Sequence, residues 1–420
     1  MTATAESGTG RQRSVFRDGA FLRFWTAVTV SGAGSHVTLL ALPLTAVLAL
    51  QADALELGLL TAVQMLPVLF VTPFAGVMAD RFPVRLLNSA CDVLQGLLLL
   101  LIPLMAWLDA LSLPLLYTVG LFLGCLKCLA DVAHHSMLPH IVDDERLVPG
   151  NAAINGSYSV TAVAGPGMGG AVIQVLTAPY ALLVDAVSFL LSGALIASLR
   201  TRPAPPRATA ALGWWRSVTE GFGYLVRERQ LLVLGLCSGV ANLFIQAYST
   251  VMVIFVVQSL SLPPTALGAV YACGALGGVG GAMGARRTGD RLSPGTAIVL
   301  GLVCAGLGIA GVGLAGLADG TPARIAVLVA GTFVYSAGAA LYNVHAMSTR
   351  QRLARRDMLG RVTASYRLLS HGALPLGAFA GGLCAQHFGT GTTIACAGAG
   401  VIAWVGVLML TPFRQLQRPG

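Results

Sequence analysis

Lys127 is the only lysine in the chain, and it stands in the apolar run LFLGCLKCLAD with Asp131 four positions on. On a helix, residues four apart share a face, so the two can form an ion pair. Two readings stay open. The ammonium either reaches the membrane interface and pairs with Asp131, or it stands in a polar passage and attracts an anionic ligand. His36 titrates near neutral pH by its intrinsic chemistry, which is the property a proton carrier needs. Membrane carboxylates are few: Asp92, Asp131 and Asp185.

Other chemistries find little support. Cys125 and Cys128 form an isolated CxxC inside an apolar run, where cysteine behaves as a small hydrophobe. His134, His135 and His140 cluster loosely, but no fourth metal ligand is evident. His140 and Asp144 are too closely spaced for an HxxxxD acyltransfer pattern, and no GxxxxGK[ST] phosphate loop is found. The expectation is a protein that is not an enzyme, binds no cofactor or metal and does not bind nucleic acid, with a proton gradient as its energy source.

The elements that must position these groups follow from composition. The 420 residues are 55% hydrophobic and only 10% charged, far from the quarter charged of ordinary soluble chains. About 20 mostly apolar residues cross a bilayer as a helix, and that criterion predicts twelve spans in an all-α membrane protein. They run near 21–50, 55–79, 86–108, 112–135, 150–176, 179–200, 230–259, 264–285, 293–318, 322–347, 358–386 and 388–412. The expected organisation is an N-terminal tail (1–20), a six-helix bundle (21–200), a linker with an amphipathic helix (201–229), a second six-helix bundle (230–413) and a C-terminal tail (414–420).

All 26 basic residues except Arg324 and Lys127 fall on one side of these spans. Short basic loops stay in the cytoplasm, so a multi-pass protein of the cell (inner) membrane with both termini cytoplasmic is expected. The N-terminal tail lacks the apolar core and cleavage site of a signal peptide. The formal charge of +9 then faces anionic lipid headgroups.

Two halves repeat. GVMADRFPVR follows span 2 and GAMGARRTGDR follows span 8, matching Gly76 with Gly281 and Arg81 with Arg286. HSML and HAMS follow spans 4 and 10 at a spacing of 210. Parallel repeats are a recurrent transporter architecture, with the substrate site between them near the bilayer midplane.

GVMADRFPVR resembles the loop motif between the second and third helices of the major facilitator superfamily, with Gly76, Asp80, Arg81 and Arg85 in the expected places; Pro83 and Val84 depart from it. GSYSVTAVAGPGMGG in span 5 resembles the antiporter motif of that superfamily's exporters, carried by Gly156, Gly165, Pro166, Gly169 and Gly170. SGAGSHVTLLALPL, MLPHIVDDERLVPGNAAINGS, VDAVSFL and LGRVTASYRLLSHGALPLGAFAGG are similar to the branch of macrolide efflux proteins and the enterobactin exporter.

The resemblance implies the major facilitator fold, a gate loop of Gly76, Asp80, Arg81, Arg85, Gly281 and Arg286, and a cavity lined by helices 1, 4, 7 and 10. The substrate or proton candidates are then His36, Gln64, Lys127, Asp131, Asn242, Gln246, Asn343, His345 and Arg367, with Asn155, Tyr158 and His371 on flanking helices. The expected activity is drug, antibiotic or secondary-metabolite export by proton antiport with alternating access, performed by a monomer in the lipid bilayer on a small-molecule substrate. Export of a siderophore or other anionic metabolite is the alternative; nutrient import and a membrane-embedded enzyme have less support.

Overall fold

The computed structural model describes residues 15–71, 74–75, 78, 81–200, 214–355 and 358–410. Apolar runs can satisfy their backbone polar groups in lipid only as helices, and the described residues form twelve apolar ones. We label them α1 (Gly19–Ala49), α2 (Ala54–Phe70), α3 (Val84–Trp107), α4 (Leu113–Met137), α5 (Asp144–Leu176), α6 (Ala178–Ala197), α7 (Arg229–Ser259), α8 (Pro264–Arg291), α9 (Pro294–Leu317), α10 (Thr321–Leu353), α11 (Val362–Phe388) and α12 (Thr390–Met409). Eleven are long and apolar enough to cross a membrane, and α2 is a shorter apolar helix. Helices α5, α8 and α10 run about six residues beyond the apolar segments that mark them. Apolarity marks only the part in lipid, whereas the hydrogen-bonded turn continues into water.

Polar residues at the boundaries account for several helix starts. Asp18 caps α1 by accepting from the Ala20 amide at 2.9 Å. Asp53 and Glu56 form a reciprocal capping box at the start of α2, at 2.8 and 2.9 Å. Arg85 donates to the Leu199 carbonyl at 2.7 Å, a cation just past the C-terminal end of α6 where the helix dipole favours it. Residue pairs such as Gly301 with Gly338 and Gly308 with Gly331 face each other where α9 packs on α10, the close approach that small residues permit in membranes.

The repeat is also visible in backbone geometry. Both α1 and α7 end in a five-residue π-helical turn, Thr45–Ala49 and Phe255–Ser259. The hairpins after α1, α3 and α5 turn on left-handed residues Gln51, Asp109 and Thr177, and those after α7, α9 and α11 turn on Ser261, Gly320 and Gly389. The three pairs are offset by 210, 211 and 212 residues. Only Gly320 and Gly389 adopt that conformation without steric cost.

These six hairpins lie at one end of the molecule, termed here the far end. The linker helix Trp214–Arg227 and, among the described residues, nearly all the cations lie at the other, basic end. At the far end one apolar core draws on all twelve helices, from Leu40 and Leu57 through Leu182 and Val251 to Ile394. Toward the basic end the buried apolar residues fall into separate groups. One joins α1, α4 and α6 around Phe21, Phe24 and Ile196, and one joins α3 and α4 around Cys91 and Ala133. A third joins α7, α9, α10 and α12 with Leu225 of the linker helix. The two halves are thus welded at the far end and parted at the basic end.

Candidate functional site

Two helix pairs make the weld: α5 with α8, and α2 with α11. Both close on glycine. A Cβ on Gly268 of α8 would lie 2.6 Å from the Pro166 carbonyl oxygen and 3.1 Å from Gly170 Cα. A Cβ on Gly58 of α2 would lie 2.8 Å from the Ala378 carbonyl oxygen and 2.9 Å from Gly382 Cα. Side chains shorter than a methyl are required at both crossings. Gln386 adds a hydrogen bond to Asp53 at 3.0 Å across the second one.

The antiporter-motif residues divide between two contacts. Gly165 and Gly169 pack on His36 and Val37 of α1, while Pro166 and Gly170 face α8. Gly156 meets nothing within 4 Å.

Below the weld, polar side chains stand exposed in mid-helix. Lys127 Nζ lies 3.9 Å from Asp131 Oδ1, and the two side chains are 69% and 61% exposed. Phe122, five residues before Lys127, is also exposed, but at 3.6 residues per turn it points about 140° away. Phe122 and Lys127 therefore lie on different faces of α4. The charge of Lys127 reaches His36 on α1 and Asp185 on α6, and that of Asp131 reaches Tyr158 on α5. In the C-terminal half, Asn343 and Arg367 are exposed, and Asn242 donates to the Ser370 carbonyl at 2.9 Å.

Other candidate residues are placed elsewhere. Gln64 lies against Gly120 and Gly124 of α4 and donates to the Leu60 carbonyl at 3.3 Å. Gln246 is buried and donates to Thr250 of its own helix at 3.2 Å. His345 is buried and bonds Thr288 at 3.0 Å; with Arg286 it lines a side cleft of about 660 Å³ between α8, α9 and α10. Gly281 packs on Ala337 of α10. Of the loop after α2, Arg81 is exposed, Arg85 caps α6 as described, and Gly76 and Asp80 lie outside the described residues.

The buried carboxylates sit behind the passage. Asp185 accepts from Thr38 at 2.5 Å and Ser188 at 2.9 Å, tying α6 to α1. Asp92 accepts from Ser192 at 2.6 Å and lies 4.0 Å from His134 Nε2. His140 donates to the Ser136 carbonyl at 2.8 Å, and among the described residues no three His, Cys, Asp or Glu are placed to hold a metal ion. The Asp92–His134 approach has no signature in the sequence, because it depends on how α3 packs on α4.

Twelve apolar helices in two matching sets of six, joined at one end and parted at the other around polar groups, define a polytopic membrane transporter. The model of the Major Facilitator Superfamily matches residues 24–378, and the chain belongs to that family. It is 27% identical over 430 residues to the multidrug efflux pump Tap of Mycobacterium tuberculosis (strain ATCC 25618 / H37Rv), covering 97% of this chain and 99% of that one. It is 27% identical over 396 residues to the uncharacterized MFS-type transporter YfiS of Bacillus subtilis (strain 168), covering 91% and 90%. The fold is similar to the nucleoside transporter NupG (D323A mutant), with TM-score 0.80, 12% identity and coverage of 95% and 100%. It is also similar to a bacterial homologue of the iron transporter ferroportin in its inward-facing state, with TM-score 0.71, 15% identity and coverage of 94% and 100%.

Proposed function

We propose that this protein exports drugs, antibiotics or secondary metabolites across the cell membrane by proton antiport with alternating access. The observation that carries the proposal is the combination of a glycine-built far-end weld with a passage lined by sparse polar groups, the arrangement suited to a bulky amphipathic ligand. Full-length similarity to a multidrug efflux pump supports the direction of transport. Basic short loops assign the basic end, with both termini, to the cytoplasm, so the conformation described is inward-facing.

His36, Lys127, Asp131, Asn343 and Arg367 line the substrate passage. Asp80 and Arg81 of the loop after α2, with Gly281 and Arg286, which match Gly76 and Arg81 in the second half, hold the cytoplasmic end shut when the halves rock outward. Residues 21–200 and 230–413 move as the two units, as a monomer.

Accumulation of a panel of antibiotics, cationic dyes and siderophores in an efflux-deficient bacterial host tests the proposal. Expression of the protein lowers accumulation of at least one compound, and a protonophore restores it. Export of siderophores alone would select the anionic-metabolite alternative, which Lys127 and Arg367 would serve. Unchanged accumulation of every compound, with the protein present in the membrane, would overturn the multidrug reading.

A further inference from the structure

Asp92 of α3 is fully buried, on the helix pair whose small apolar core is Leu87, Cys91, Ala130 and Ala133. One carboxylate oxygen accepts from Ser192 at 2.6 Å; the other has no hydrogen-bond partner. One turn away on the same face of α3, Asn88 is also fully buried, with neither side-chain amide atom partnered. Buried polar groups are nearly always paired, so two such residues stacked on one helix face call for an explanation. An isolated buried anion is costly unless a proton neutralises it or a cation pairs with it.

His134 supplies the means. Its Nε2 lies 4.0 Å from Asp92, and its side chain is 16% exposed where that of Asp92 is 0% exposed. It stands three residues after Asp131 on α4, and residues three apart are neighbours on a helix surface. Asp131 in turn is 61% exposed. A graded series therefore leads inward from Asp131 through His134 to Asp92.

Other groups around the pair come from α1, α3, α4, α5 and α6. Phe24 of α1 sets its ring 6.4 Å from the His134 ring. Tyr158 of α5 lies within electrostatic reach of both Asp131 and Asp92. On α6, Asp185 lies two turns before Ser192 and is held by Thr38 and Ser188, while Lys127 lies two turns before His134 on α4. On α3 itself the adjacent thiol is Cys91.

We propose that Asp92 and His134 form the proton-carrying site of this transporter, set behind the substrate passage rather than in it. One proton enters the pair when the passage faces outward and leaves through His134 toward Asp131 in the conformation described here. No other reactant is consumed. The inference rests on the antiport reading above and names its proton site.

Asparagine at position 92 keeps an acceptor for Ser192 but cannot titrate, which separates proton carriage from a structural latch between α3 and α6. The test is an infrared-detected pH titration of the purified full-length protein in lipid vesicles. The proton itself is the probe. Wild type shows a carboxylic-acid carbonyl band that disappears as pH rises. Asp92→Asn loses that band while keeping its melting temperature, and His134→Gln shifts the band's midpoint. A second band from Asp185 identifies itself by its loss in Asp185→Asn. If Asp92→Asn leaves every titrating band in place, or if His134→Gln moves none, the inference is overturned. Wild-type export that is indifferent to a protonophore would overturn the antiport reading instead, and the infrared titration tells the two failures apart.

Discussion

Lys127 combines two properties that decide what its loss should do. Its ion pair with Asp131 is long, at 3.9 Å, and both partners are more than half exposed, so it adds no more than about 1 kcal/mol to stability. The same exposure leaves the ammonium available to a ligand. Lys127→Met is therefore expected to melt at the wild-type temperature, to lose export of anionic compounds and to retain export of cationic dyes. A parallel loss of both classes would mean that Lys127 holds the passage together rather than selecting its contents. The pairing of Lys127 with Asp131 was legible in the sequence because both lie on one helix, where spacing alone fixes the shared face. Asp92 and His134 lie on different helices, and only packing brings them together. Gln246 and His345 show the converse: polarity marked them as candidates, but polarity does not say which face of a helix a residue occupies.

At the scale of the helix pair, the far-end weld gives a mechanical reason for the glycines of α5. On the proposed alternating access, α5 must separate from α8 and α2 from α11 when the passage opens outward. Gly268→Val would insert branched carbon where 2.6 Å separates a single Cβ from the Pro166 carbonyl. Overpacking of this kind costs roughly 1–3 kcal/mol, enough to shift a two-state equilibrium by roughly 5- to 150-fold. The prediction is that Gly268→Val populates the outward-open state. An impermeant thiol reagent added from outside should then label a cysteine placed in the passage faster than in an otherwise identical protein with Gly268. Unchanged labelling would mean that α5 and α8 do not separate at this crossing. On the gate role proposed for the loop after α2, Asp80→Asn is expected to lower export while surface expression stays intact; wild-type export would remove Asp80 from the gate. The motif residues of α5 were legible as small residues, but their division between α1 and α8 was not, since each glycine's partner is set by where the helices cross. The left-handed hairpin residues were hidden for another reason. Gln51 and Asp109 do not look like the positive-φ positions that glycine marks openly at 320 and 389.

For the whole molecule, the fold followed from composition and period: twelve apolar runs, a central polar segment and a one-sided distribution of cations leave few alternatives to a two-fold helical transporter. Which end would be welded was not written in any run of residues. It emerges from one core at the far end and separate cores at the basic end. If the halves exchange substrate for protons, the two fluxes must be coupled in a single preparation. The most direct measurement uses inside-out membrane vesicles carrying the full-length protein, acidified inside and reported by a pH-quenched acridine dye, with a panel compound added outside. The account predicts that an exported compound enters the vesicles and releases protons as it does so, restoring the dye's fluorescence, and that neither occurs with Asp92→Asn. Uptake of the compound with no change in the dye would contradict proton antiport as the driving reaction.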